Sequence, residues 1–237
     1  GSDVQAHLII NTQRIGSTRE FNDGSYDRPK FLQSPAILLE PGVPQTISTP
    51  YGGTLQIRVS VSDSDPIIEL QLDNVGEHPV LEYGEDPTDY LDALQNSPYP
   101  FTEIRNPYVQ IHSKIDMMLQ SIAEYDGDLQ AFFADLEYYM IQDTYNLAGF
   151  EGDELSLNNA VQEFCTDNGW DCISPTIHSK PALQHINVDT YSHCGGGCSG
   201  NPYDQAWPLG PLGWGETHEI GHNLQRSRLK VHDGRSS

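Results

Sequence analysis

The chain has 237 residues, of which 37% are hydrophobic, and this is enough to bury a core as one large or two small domains. Its 34 Asp and Glu against 12 Lys and Arg give a formal net charge of -22, which would repel nucleic-acid phosphates and anionic lipids. No stretch approaches the roughly 20 apolar residues that span a bilayer. We therefore expect a globular protein with no nucleic-acid partner and no membrane insertion.

The first 34 residues carry turn-formers such as Asn22-Asp23-Gly24 and predict an N-terminal arm, irregular or with a short strand (1–34). A small β-rich unit is expected over 35–100. Within it Leu55, Ile57 and Val59 alternate with polar residues, the run 68–72 repeats this alternation, and turn signals separate the runs. The pattern predicts a small antiparallel sheet over about 35–83.

Residues 101–237 are predicted to form a mainly helical subdomain. Asn106 as a cap and Pro107 at the first helical position predict a helix that runs to Ile122. Further helices are expected over 129–140 and about 154–164, and a strand over 183–188. The Gly- and Pro-rich stretch 194–215 has too many breakers for regular structure.

The four cysteines lie as two close pairs, Cys165 with Cys172 and Cys194 with Cys198. Two local disulfides, together with the acidic balance and few Lys, predict a secreted, extracellular protein. A zinc knuckle that adds His193 to the second pair, and four free thiols, are the alternatives. The second pair lacks the two-residue spacing of a knuckle, so we favour disulfides.

The segment 213–225 contains the motif HExxH as His218, Glu219 and His222. Residues four apart share a helix face, so the two imidazoles can bind one Zn²⁺. The carboxylate of Glu219 can then take a proton from a metal-bound water, which is the minimal apparatus for hydrolysing an amide. Two surface histidines on an ordinary helix are the alternative, although only about 0.02 matches are expected by chance in this composition.

A catalytic zinc site has three protein ligands and one open position, and the third ligand is open here. Metzincins place Gly and His three and six residues beyond the second His, where this chain has Gln225 and Arg228. A gluzincin takes a downstream Glu, and none follows Glu219. We expect that either His232 or Asp233 completes the site, or that the ligand lies beyond the end of this chain.

The residues around the motif resemble the enhancin-like metallopeptidases, the viral enhancins and their bacterial relatives that attack mucins and other O-glycoproteins. The resemblance spans about 25–230 and is carried by Trp214, Gly221, His222, Asn223 and Gln225, and by the segments Ser34-Pro35-Ala36, Pro41-Gly42, Pro50-Tyr51-Gly52-Gly53 and Ser199-Gly200-Asn201-Pro202-Tyr203.

The resemblance implies an α+β fold in which a small antiparallel β unit precedes a mainly helical, gluzincin-like zinc-peptidase domain that is incomplete at the C-terminus. It implies that His218 and His222 bind zinc, that Glu219 is the general base, and that a downstream Glu is the third ligand. The implied protein is a secreted zinc endopeptidase that cleaves O-glycosylated, mucin-like proteins.

Two other functions remain open. One is a non-catalytic fragment that binds carbohydrate or glycoprotein through the sheet of 35–83 and the region of Trp207 and Trp214, because aromatic faces suit sugars. The other is a protease of unglycosylated chains, which shares the chemistry and differs only in substrate.

Overall fold

The computed structural model describes residues 4–12, 33–48, 52–60, 67–149, 159–170, 182–189, 197–198 and 200–225. Its strands are β1 (Gln5–Ile10), β2 (Ile37–Leu39), β3 (Leu55–Ser60), β4 (Val80–Glu82), β5 (Phe101–Arg105), β6 (Val109–Lys114), β7 (Gln184–Val188), β8 (Gly197–Cys198) and β9 (Tyr203–Gln205). Its helices are α1 (Tyr90–Asn96), α2 (Ile115–Ala123), α3 (Leu129–Asp135), α4 (Thr144–Leu147), α5 (Asn159–Asp167) and α6 (Trp214–Leu224). A 3-10 turn, Pro87–Asp89, precedes α1, and π-helical turns, Leu136–Asp143, join α3 to α4. None of the helices in these ranges is long and apolar enough to cross a membrane.

The first sheet has three antiparallel strands in the order β2-β1-β3. Its central strand is β1, which lies in the segment for which an irregular arm or a short strand was predicted. Leu8, Ile9 and Ile10 are all buried, so the second half of this strand is apolar on both faces. Without two-residue alternation its pairing leaves little signal in the sequence.

The second sheet has six strands in the order β4-β5-β6-β7-β9-β8. The pairs β4 with β5, β6 with β7, and β7 with β9 are parallel, and the remaining two pairs are antiparallel. The helices pack with this sheet through a core that includes Phe132, Met140, Ile186 and Ile220, each fully buried. The α+β class is therefore confirmed, and the helices of the C-terminal half pack with a mixed sheet that the sequence did not predict.

The prediction of a helix that starts at Asn106 and Pro107 is wrong for the first half of its range. Residues 109–114 form β6, and the helix begins only at Ile115. The strand is central, and Val109, Ile111 and His112 are buried although they point to both faces of the sheet. Burial on both faces removes the two-residue period, and the spacing of Ile111 and Ile115 then imitates a helix.

Two further predictions fail for related reasons. The alternating run 68–72 is not a strand, since it pairs with no strand among the described residues, and Leu70 and Leu72 are 40% and 45% exposed. The stretch 194–215 was expected to be irregular, yet it contains β9, whose residues are fully buried. This segment forms a strand because it pairs with β7, and no local sequence pattern indicates that pairing. The predicted strand at 183–188 and the helix over 129–140 are confirmed in outline.

A buried carboxylate joins the two sheets. Glu103 on β5 is 1% exposed and accepts hydrogen bonds from Arg105 (Nη2 to Oε2, 2.9 Å), from His112 (Nδ1 to Oε1, 3.0 Å) and, at short range, from Gln56 on β3. Burial alone would raise the pKa of this carboxyl, but the hydrogen bond and charge of His112, with the charge of Arg105, lower the pKa to about 2.

His112 continues this chain of contacts to His185 on β7, with 3.0 Å between Nε2 of the first ring and Nδ1 of the second. The rings are nearly parallel, at 12°, and their centroids are 5.4 Å apart, so they lie end to end. Burial, followed by the neighbouring His112, lowers the pKa of His185 to about 4. Burial also lowers the pKa of His78, whose Nε2 lies 4.0 Å from Glu103.

These pKa values predict acid destabilisation in two stages. Between about pH 6.5 and 4 the unfolded chain binds a proton at His185 that the folded chain does not, so stability falls by up to about 3 kcal/mol. Below about pH 4.5 the unfolded chain also protonates Glu103 before the folded chain does, and stability falls further toward pH 2. Calorimetric unfolding of the metal-free protein from pH 8 to 3 measures both stages, and His185→Gln should flatten the first. An unchanged slope in that variant would contradict this assignment.

Candidate metal centre

The HExxH motif lies on α6, as the sequence predicts. Gly213 is the N-cap residue, and the helix buries Ile220 and Leu224 against the core. This apolar side fixes the rotation of the helix. Its opposite side therefore carries His218 and His222, one turn apart, toward solvent.

The two imidazoles converge on one point. Their Nε2 atoms are 3.0 Å apart, the ring planes stand at 86°, and the ring centroids are 4.6 Å apart. At the same nitrogen separation the end-to-end pair His112 and His185 has centroids 5.4 Å apart, so the rings on α6 are bent toward a common centre. Two nitrogens bound at about 2.0 to 2.1 Å to a tetrahedral metal lie roughly 3.3 Å apart, which this pair fits.

Glu219 joins the two histidines. One ligand atom from each of the three residues lies within 4.8 Å of the others, and no other His, Cys, Asp or Glu of the described residues joins this group. The Glu219 side chain is mostly buried, and its Oε2 accepts a hydrogen bond of 2.8 Å from the backbone N–H of Gly200. Within the described ranges Oε1 has no such partner. One carboxylate oxygen of Glu219 is thus held by a backbone donor.

Trp214 covers one side of the histidine pair. Its ring stacks on the His218 imidazole at 4.2 Å and 26°, while the indole is 75% exposed. The flat contact restricts rotation of the imidazole and leaves the outer face of the indole open to a ligand. The same residue belongs to a cavity of about 610 Å³ that is also lined by Glu124, Tyr203, Trp207, Pro208, Gly210, Gly213, Gly215, Glu216 and Glu219.

A second buried carboxylate shapes this cavity. Glu216 is 2% exposed, and its Oε1 accepts hydrogen bonds from the Gly210 N–H (3.0 Å) and from Gln205 Nε2 (3.1 Å). The Gln205 amide also donates to the carbonyl of Trp207. Glu216 thereby fixes the loop that carries Trp207 to the first turn of the metal helix.

Sequence reasoning did not identify Gly200, Gln205 or Glu216 as part of the site. For Glu216 a signal exists, because it is the third helical residue, where Glu often binds backbone N–H groups. Gly200 acts through its backbone, which leaves no chemical signature. His232 and Asp233, the two internal candidates for the third ligand, lie outside the described residues, so that prediction stays open.

The cysteine predictions also stay open. Cys165 is buried on α5. Cys172, Cys194 and the side chain of Cys198 lie outside the described residues.

Comparison with known proteins extends the resemblance. No family model matches the chain. It is 46% identical over 241 residues to the immunomodulating metalloprotease of Pseudomonas aeruginosa, a match that covers 98% of this chain and 26% of that protein. This chain is similar to a metalloprotease. The relationship to a metallopeptidase predicted from the motifs is thereby confirmed.

Solved structures give the same result. The structure of IMPa from P. aeruginosa in complex with an O-glycopeptide has a TM-score of 0.78, and IMPa metallopeptidase in complex with T-antigen has a TM-score of 0.76. Each is 42% identical, and each match covers 97% of this chain and 27% of the solved one. The chain thus spans about a quarter of the length of the relatives that it matches.

We expect the same substitution at two glycines of this region to have opposite effects on stability. A Cβ on Gly213 would lie 2.7 Å from Oε2 of Glu216 and 2.7 Å from the carbonyl oxygen of Gly210, whereas a Cβ on Gly221 meets nothing within 4 Å. We predict that Gly213→Ala destabilises the fold by about 1 to 3 kcal/mol through overpacking. Gly221→Ala, its control on the same helix, should stabilise by up to about 1 kcal/mol. Urea unfolding measures both, and equal effects would contradict the prediction.

Proposed function

We propose that this protein is a zinc-dependent endopeptidase that hydrolyses peptide bonds of O-glycosylated proteins. One observation carries the proposal: ligand atoms of His218, Glu219 and His222 lie within 4.8 Å of one another, and Glu219 also lines the cavity of about 610 Å³. Two neutral imidazole nitrogens suit Zn²⁺, and a carboxylate beside them suits a base.

The residues divide the work as follows. His218 and His222 would hold the metal ion, which, when bound, supplies the Lewis acidity that polarises a scissile carbonyl and acidifies water. Glu219, whose carboxylate is held by the Gly200 N–H, takes the proton of the attacking water and then returns it to the leaving amine. Trp214 restricts His218, so that the imidazole need not be ordered when the metal binds.

The substrate class is proposed from the relatives and from the cavity. One solved relative is in complex with an O-glycopeptide and another with T-antigen. In this chain the cavity presents Trp207 and Trp214, which are 39% and 75% exposed, next to the motif. Exposed indole faces stack on sugar rings, so a peptide that carries a glycan beside the scissile bond fits this surface.

Two kinds of substitution separate metal binding from catalysis. In the full-length protein we predict that His218→Ala or His222→Ala lowers both zinc content and cleavage of an O-glycopeptide. Glu219→Ala should keep stoichiometric zinc and lower cleavage at least about 100-fold, because only the base is lost. Metal analysis and a peptide-cleavage assay measure the two quantities.

Glu163→Ala, an exposed carboxylate on α5, is the matched control and should leave both quantities unchanged. A chelator should abolish wild-type cleavage, and Zn²⁺ should restore it. Near-wild-type cleavage by Glu219→Ala would refute the proposed role of this residue. Equal cleavage of the glycosylated and unglycosylated forms of one peptide would refute the proposed substrate class while leaving the protease.

A non-catalytic glycoprotein-binding role is the second candidate, and the exposure of Trp207 and Trp214 favours it. This role predicts glycan binding that survives His218→Ala and Glu219→Ala and is lost in Trp207→Ala. Glycan-array or calorimetric titration of these variants measures it. The HExxH geometry favours the enzyme, because a binding module has no need of a base beside paired histidines.

We also propose that the protein is secreted and that its cysteines pair locally. The acidic composition supports export. The burial of Cys165 on α5 is compatible with the first pairing, of Cys165 with Cys172.

A further inference from the structure

We propose that Gln184 and Asn201 are positioning residues that aim the backbone N–H of Gly200 at Glu219 and so orient the general base. This inference rests on the proposed function, since it concerns how that base is held. It begins from the hydrogen bond of 2.8 Å between the Gly200 N–H and Oε2 of Glu219. Gly200 has a positive φ of 94°, a backbone conformation that glycine adopts without strain.

A donor on a loop is useful only if the loop is fixed, and Gln184 fixes one side of it. Its Nε2 donates to the carbonyl oxygen of Gly200 at 3.0 Å and to the carbonyl oxygen of His185 at 3.0 Å. The side chain is fully buried at the start of β7. The same glycine thus accepts from Gln184 through its carbonyl and donates to Glu219 through its N–H.

Asn201 fixes the other side. Its Nδ2 donates to the carbonyl oxygen of Leu183 at 2.7 Å, and its Oδ1 accepts from the backbone N–H of His185 at 2.9 Å. These two bonds continue, through a side chain, the hydrogen bonding that β9 makes with β7 from Ile186 onward. Together with the bond from Gln184 to the Gly200 carbonyl, they tie the residue pair Gly200-Asn201 to the start of β7 through three hydrogen bonds.

The buried Gln184 amide has an energetic cost that filling space alone does not explain. The Oε1 atom of Gln184 is buried without a hydrogen-bond partner in the described part of the chain. An unpaired buried amide oxygen is unfavourable, and an apolar side chain of similar size avoids it. A glutamine at this position is therefore explained by its two donor contacts, one of which holds Gly200.

The mechanistic consequence concerns the orientation of the Glu219 carboxylate. With Oε2 held by the Gly200 N–H, the carboxylate cannot turn freely beside the histidines. Without the clamp the carboxylate samples several orientations, and only some can take a proton from the attacking water. Loss of orientation of a catalytic group by about 1 Å lowers rates by up to about 100-fold.

The test uses Gln184→Met and Asn201→Ala in the full-length protein with zinc bound. We expect kcat on an O-glycopeptide to fall about 10- to 100-fold while KM and zinc content stay within about twofold of wild type. Asn201→Asp, which keeps the acceptor for the His185 N–H and loses the donor to Leu183, should fall less than Asn201→Ala. In a crystal structure of Gln184→Met, the distance from Gly200 N to Glu219 Oε2 should exceed hydrogen-bond length.

Tyr90→Phe controls for simple loss of stability. Tyr90 is buried and its hydroxyl shares a hydrogen bond of 2.6 Å with Thr102 Oγ1 on β5, at the end of the sheet opposite to Gln184. It should lower the melting temperature without lowering kcat. An unchanged kcat in both clamp variants, or an unchanged distance from Gly200 to Glu219 in the crystal structure, overturns the inference. If the wild type binds zinc and cleaves no peptide, the proposed function fails, and the structural comparison still decides whether the clamp exists.

Discussion

The site depends on where the chain crosses the start of β7. This strand pairs in parallel with β6 on one side and with β9 on the other, so both of its edges are occupied. The segment that approaches β9 must pass the first residues of β7, and there Gly200 meets both Gln184 and Glu219. A shift of β9 along β7 would move the only backbone donor seen on Glu219 among the described residues. The register of this sheet therefore also sets the geometry of the candidate site.

In two pairs of histidines the facing ring nitrogens are 3.0 Å apart, but the rings are arranged differently. In the pair His112 and His185 the rings lie end to end, and the carboxylate of Glu103 ends the row, so a proton links each neighbour to the next. In the pair His218 and His222 the rings converge, so the Nε2 lone pairs of two neutral imidazoles point toward one position between the rings. Burial follows this division, because the first pair lies between the sheets and the second faces solvent.

The sequence predicted the elements that have a local periodic pattern or a motif. The HExxH helix, the strand at 183–188 and the helix from 129 each follow from periodicity or from a motif, and each is present. It failed where neighbours in space decide the structure. Strand β6 is buried on both faces, strand β9 lies among glycines and prolines, and the run 68–72 alternates but pairs with no strand in the described part of the chain. For the same reason the motif identified His218, Glu219 and His222, whereas no pattern identified Gln184, and Asn201 was noted only within a segment that carries the resemblance.

Three buried carboxylates show how this acidic chain accommodates charge inside. Glu103 is neutralised by an arginine and a histidine, whereas Glu216 and Glu219 on α6 accept mainly from neutral amides and backbone N–H groups. A cationic partner would compete with a metal ion for the carboxylates beside the histidines, and neutral donors do not. Around α6 the choice of amide and backbone donors therefore serves both folding and the chemistry that we propose.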